Sequence, residues 1–194
     1  MNSLEEGRRS ALARHLHASW PHCAHVDSRW QAGGIEELVP GFQVRCIAPS
    51  DDSEPWVYVS LAASIIGGDS HEFALLSPVE YPRHVETLTM LAHWQAAGRA
   101  ADVGSVLELG WPWMEGGEAE HLLITPLYAY PPECGTFRDG AQEVDILWVV
   151  PVHASEVAYL RRRGMQKLEE RFEKRGVNLL DPRRESVVGS LSAS

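Results

Sequence analysis

At 194 residues the chain has the length of one large domain, with 44% hydrophobic and 23% charged residues, as an ordinary globular protein has. A chain of this size buries about 70% of its unfolded surface and needs no metal or disulfide staple. Its net charge of −10 argues against a nucleic-acid partner, because such affinity comes mainly from Lys and Arg neutralising phosphates. The same charge suits a basic protein partner drawn in by electrostatic steering.

Cys23, Cys46 and Cys134 are odd in number and widely spaced, which predicts reduced thiols and a cytoplasmic protein. The opening MNSLEEGRRSALARH has no apolar core of a signal peptide, and no run reaches the ~18 apolar residues of a membrane span. No membrane partner is expected.

From Leu4 to Ala18 the apolar spacing predicts a surface helix, with Ser3 and Glu6 as a capping box and Pro21 as its stop. The following HLHASWPHCAH gathers His15, His17, His22, His25 and Cys23. Imidazole and thiolate are zinc ligands, but this spacing matches no zinc pattern, so the segment is read as a partly exposed polar connector and no cofactor is expected. Three strand-like runs follow: one around Phe42–Ile47, WVYVSLA and HEFALLS, with Asp/Ser/Pro/Gly turns between them. They read as an antiparallel meander, with WVYVSLA central because it is apolar on both faces. IIGGDS is read as a hairpin turn.

Arg83 to Ala97 is a helix with one stripe of Val85, Leu88, Ala92 and Ala96 and a second of Met90, Trp94 and Ala97; Gly98 stops it. Two apolar sides mean burial on both or one side offered to a partner. Ser105–Leu109 and His121–Thr125 are strands around a loop holding Trp111, Pro112 and Trp113. The stretch 126–142 is a long Pro/Gly/Tyr loop with Tyr128 and Tyr130. EVDILWVVPV is the strongest strand, and its Asp145 is read as an edge residue rather than a base. Ser155–Arg163 and Met165–Arg175 are helices separated by Gly164, with Glu170 and Lys174 as an i,i+4 pair and Gly176 as a cap. The domain is expected over 1–188, with 189–194 a disordered tail.

Read together, WVYVSLA, EFALLSP, ETLTMLAHW, VGSVLELGWPWMEGGEAEHLLITPLY, VDILWVVPVHASEVAYLRRRGMQKLEERFE and DPRRESVV resemble the suppressor-of-fused family in order, spacing and residue type over about residues 54–188. The resemblance implies an α+β domain, with a mixed, largely antiparallel sheet and helices packed against it, and no known catalytic chemistry. Animal members carry this domain as their N-terminal part. They add a second domain, which is not expected in a chain ending at Ser194. Trp94 and Ser105 fall where animal members carry a tyrosine and an aspartate associated with peptide binding. Many bacterial single-domain members are thought to be immunity proteins that neutralise a polymorphic toxin.

The leading expectation is therefore a non-catalytic protein-binding domain whose partner is a toxin domain or a peptide segment. Its candidate binding residues are Trp94, Ser105, Trp111, Trp113 and Tyr128, since aromatic anchors dominate interface energetics. A metal-dependent or Ser/His-type hydrolase is the alternative. It would use the His15–His25 cluster or a set such as His121, Asp145 and Ser77, but no nucleophile elbow or HExxH motif accompanies them. A homo-oligomeric structural subunit is the third reading.

Overall fold

The computed structural model describes residues 3–32, 35–66, 71–99, 101–140 and 142–189, with side chains at all of these except 3–5 and 36. The chain is an α+β protein with eight mostly antiparallel strands among the described residues. Its described residues divide into two compact units, one from 1–103 and 125–149, the other from 104–124 and 150–194.

The first unit opens with helix α1 (Ser3–Ser19), where Leu12 and Leu16 are buried as the apolar spacing requires. The proposed capping by Ser3 falls on a side chain outside the described ones. Strand β1 (His25–Ser28), the short α2 (Ile35–Leu38), β2 (Val44–Ile47) and β3 (Trp56–Ser60) follow. After β3 come the one-turn α3 (Ala63–Ile66), β4 (His71–Ser77) and α4 (Arg83–Ala96). Strands β1, β2, β3 and β4 pair antiparallel in that order, so the meander is as expected, extended by one strand on the β1 side.

The histidine-rich segment is partly exposed as expected, but only 20–24 connect: its first half completes α1, and His25 opens β1 against Ile47. IIGGDS does not begin as a hairpin turn, because residues 63–66 coil into α3; its remainder, 67–70, lies outside the described residues. What holds α3 in place is Glu72, buried on β4. Its carboxylate accepts from the Ala62, Ala63 and Ser64 amides at 3.1–3.3 Å and from the Ser60 and Ser64 hydroxyls at 2.5 and 2.6 Å. A carboxylate at the first turn of a helix takes up amides that would otherwise have no partner.

Helix α4 packs on β2, β3 and β4. It buries Val85, Leu88, Leu91 and Ala92 together with His84, Thr87, Thr89 and Gln95, while Met90 and Trp94 are half-buried and Ala96 is exposed. The two threonines on the inner face satisfy themselves locally: the Thr87 hydroxyl donates to the Arg83 carbonyl at 3.2 Å and the Thr89 hydroxyl to the Val85 carbonyl at 2.7 Å. His84 lies edge-on between the rings of Tyr58 and Tyr81, and burial pulls its pKa down to about 3. The last strand, β8 (Gln142–Val152), pairs in parallel with β4 over residues 145–148, after a long connection that includes α4. The Pro/Gly/Tyr stretch is not loop throughout. It contains a 3₁₀ turn at Pro132–Cys134 and strand β7 (Thr136–Asp139), antiparallel to β8.

The second unit holds the hairpin β5 (Val106–Glu108) and β6 (His121–Pro126), whose last two residues belong to the first unit. Helices α5 (Ala154–Arg163) and α6 (Met165–Arg175) pack on each other. Leu168 and Phe172 form the inward stripe of α6, and Gly176 closes it with φ 57°. The ion pair on α6 is Lys167 with Glu170 at 2.7 Å; Glu170 turns toward Lys167 rather than Lys174. Residues 177–189 then return over α5, fastened by Arg184, whose guanidinium makes two 2.7 Å bonds to the buried Glu156. Of the expected tail, 190–194 lie outside the described residues.

Candidate functional site

The candidate binding residues fall into both units. In the first, Trp94 lies near the C-terminal end of α4, half-buried, with the Arg99 guanidinium carbon 4.7 Å above its ring centroid. That is cation–π geometry, and its indole Nε1 is buried with no hydrogen-bond partner. Tyr128 is 50% exposed and packs edge-to-face on Trp148 at 5.1 Å. Its backbone amide bonds the Pro126 carbonyl at 2.8 Å, so a tight turn at the end of β6 pushes the ring outward.

Around Tyr128 the first unit has a cleft of about 360 Å³, walled by Val103, Pro126, Leu127 and Tyr130 and containing one charged lining residue, Asp145. Along its floor β8 is paired with β7 up to Asp145, and the Ile146 amide donates to the Gly135 carbonyl at 2.7 Å just after the 3₁₀ turn. Burial raises the Tyr130 hydroxyl to a pKa of about 12, so it stays a neutral hydroxyl at physiological pH. Asp145 Oδ1 accepts from the Thr136 hydroxyl at 3.1 Å. Asp145 does not lie at the sheet edge that its place near the strand start suggests: β8 is paired here on both sides, with His71 of β4 and Thr136 of β7, and the residue is half-buried within the sheet. Nothing in the sequence placed Tyr130, Val103 and Asp145 together; only the tertiary fold does.

In the second unit Ser105 is half-buried, and its carbonyl accepts from the Ile124 amide at 2.9 Å, continuing the β5–β6 ladder. The tryptophan loop is drawn into a rung of its own by the Trp113 amide, which donates to the Ala119 carbonyl at 2.9 Å. Gly110 and Gly116 take φ 79° and 77° at the two bends, a conformation that side chains resist. Within this frame Trp113 is only 3% exposed, whereas Trp111 is half-buried. The two tryptophans thus separate: one belongs to the core and one reaches the surface.

Ser77 Oγ donates to the Val79 carbonyl at 2.6 Å, Asp145 holds Thr136, and His121 belongs to β6 in the second unit. In the histidine segment, His15 donates to the Cys134 carbonyl and His25 to the Trp20 carbonyl. Among the described residues no group of three or more His, Cys, Asp or Glu is placed to hold a metal ion. No described helix is long and apolar enough to cross a membrane.

These features define an α+β domain of two compact units with surface-reaching aromatics and an acid-containing cleft. Residues 42–185 match the family model described as Suppressor of fused protein (SUFU), a span that begins earlier than the resemblance at 54 and ends within three residues of it. The chain belongs to the suppressor-of-fused family. Its structure is similar to that of a SUFU homolog from Neisseria gonorrhoeae FA 1090, with 32% identity over 94% of this chain and 98% of that one, at a TM-score of 0.83. It shares its fold with a chain of the Sufu–Fu complex, at 13% identity over 93% of this chain and 92% of that one, with a TM-score of 0.64. Drosophila Suppressor of Fused matches at 14% identity and a TM-score of 0.67, covering 93% of this chain and 51% of that one; the present chain thus spans about half the Drosophila chain. No curated protein matches the chain.

Proposed function

We propose that this chain is a non-catalytic protein-binding domain and that it serves as an immunity protein, neutralising a toxin domain by stoichiometric binding. The observation that carries the reading is family membership over 42–185 joined to a fold shared with a protein crystallised in a complex, the Sufu–Fu complex. The surface is consistent with it: Tyr128, Trp111 and Trp94 reach solvent with rigid aromatic area, which costs little conformational entropy to immobilise. The net charge of −10 favours a basic partner and fast, salt-sensitive association.

In this reading Trp94 and Tyr128 of the first unit and Trp111 and Ser105 of the second are candidate partner contacts, each within its own unit, and Trp113 supports its loop from within. The test is capture of purified products of the neighbouring genes, followed by co-expression with any toxin so captured. A binder that protects cells, with affinity reduced about tenfold or more by Trp111→Ala or Tyr128→Ala at unchanged melting temperature, is the expected result. Failure of every neighbouring product to bind would overturn the immunity role.

A further inference from the structure

The cleft beside Tyr128 has a composition that selects its occupant. Its walls are apolar and aromatic, from Val103, Pro126, Leu127, Tyr128 and Tyr130, and among the described residues its single charged lining residue is Asp145. Among the described residues no cation lies within ion-pair distance of Asp145, although Arg and Lys elsewhere in the chain are drawn to Asp27, Asp139, Glu143, Glu156 and Glu170. The Thr136 bond engages Oδ1. A second carboxylate stands close by in sequence: Asp102 precedes the wall residue Val103, is largely exposed, and contacts His71 at 3.4 Å, the residue paired with Asp145 across β4 and β8. Val103 and Tyr128 are exposed by 48% and 50%, so the apolar wall is open to solvent.

A half-buried carboxylate without an internal cation, ringed by aliphatic and tyrosine surface, attracts a group that is itself part apolar and part cationic. Arginine and lysine side chains are such groups: the methylene stem lies along apolar walls while the head reaches a carboxylate. Arginine fits better, because its planar guanidinium also stacks on tyrosine rings. A neutral or acidic ligand covering the cleft would take water from Asp145 without supplying a counter-charge.

We propose that this cleft is a receptor for an arginine side chain presented by a basic segment of a protein partner, with Asp145 as the recognising carboxylate and Tyr128 and Tyr130 as the walls. The inference rests on the protein-binding reading above and names a chemical feature of the partner.

The test uses the full chain and the peptide Ac-Gly-Leu-Arg-Leu-Gly-NH2, followed by amide NMR shifts. The control peptide carries citrulline, which has the shape of arginine without its charge. Saturable shifts confined to amides near 103, 126–136 and 145–147 are expected with the arginine peptide, weakened about tenfold by citrulline and by Asp145→Asn. The Asn variant keeps the oxygen that accepts from Thr136, so its melting temperature should not move. Tyr128→Ala, at an exposed position, gives a second weakening without loss of the fold.

Equal binding of the citrulline peptide, an unaffected Asp145→Asn variant, or no saturable shift up to about 10 mM peptide would each overturn the proposal. Concentration-dependent dimerisation that protects the same amides would also overturn it, by making a second copy the occupant. Loss of peptide binding in Asp145→Asn while no neighbouring gene product is captured leaves the cleft standing and the immunity role refuted. Capture of a neighbouring product with undiminished affinity by Asp145→Asn does the reverse.

Discussion

Trp111 and Trp113 are separated by one residue and have opposite fates. Trp113 is buried, and its ring contributes a large apolar area that truncation would leave as a cavity. We expect Trp113→Ala to lower stability by about 3–5 kcal/mol, read from urea unfolding. Trp111→Ala should cost about 1 kcal/mol or less, because its ring already meets solvent. Equal losses at the two positions would mean that the loop packs differently. The sequence marked both as candidates for binding; which one faces inward depends on the Trp113–Ala119 bond and on the bends at Gly110 and Gly116, none of which leaves a periodic signal.

At the scale of elements, the tryptophan loop meets the C-terminal segment through a glycine. A Cβ on Gly117 would lie 2.7 Å from the Pro182 carbonyl oxygen and 3.2 Å from that of Met114, both backbone atoms with little room to move. Gly117→Ala is expected to destabilise by about 1–3 kcal/mol and to lower the melting temperature, whereas a well-tolerated alanine would show that the segment can shift. The same segment is fixed to α5 by Arg184, which reaches Glu156 and also donates to the Pro151 carbonyl at 3.0 Å. Glu156 in addition takes the His153 amide at 2.9 Å, the N-terminal half of a capping box that HASE spells out in sequence. Its pairing with an arginine 28 residues later is beyond any local pattern. Strand β7 illustrates the same limit: TFRD is too short and polar to declare itself, and it becomes a strand because β8 offers an edge.

For the molecule as a whole, the two buried acids give opposite pH dependences. Burial works against the Glu156 charge, but the hydrogen bonds and charge of Arg184 and the amides of His153 and Val187 outweigh it and hold the pKa below the ordinary glutamate value. Stability from this group is complete above that ordinary value, about 4.3, and is lost as pH falls through the depressed folded one. Glu72 is the converse. Burial raises its pKa against the pull of the Ser60 and Ser64 hydroxyls and the Ser64 and Ala62 amides. Its contribution is greatest below the ordinary value and declines as pH rises through the folded one. Unfolding titrations should therefore show Glu156→Gln falling further behind the parent protein as pH increases from about 3, and Glu72→Gln catching up. Parallel profiles for the two variants would refute the assignment. At neutral pH Glu156→Gln should cost about 3–5 kcal/mol, since it leaves a buried guanidinium without its counter-charge.

The sequence by itself determined the α+β class, the antiparallel run β2–β3–β4, the long helix α4, the paired helices α5 and α6, and membership in the suppressor-of-fused family. These rest on alternation, helical spacing and motif order, which are local or sequential properties. Only the tertiary structure decided that β1 and β7 are strands, that Glu72 organises α3, that Glu156 and Arg184 meet, and that Asp145 shares a cleft with Tyr128 and Tyr130. Each of these joins residues distant along the chain or depends on an edge supplied by another strand. Such a contact is fixed by the free energy of burying polar groups with partners, and that is settled only once the surrounding elements are in place.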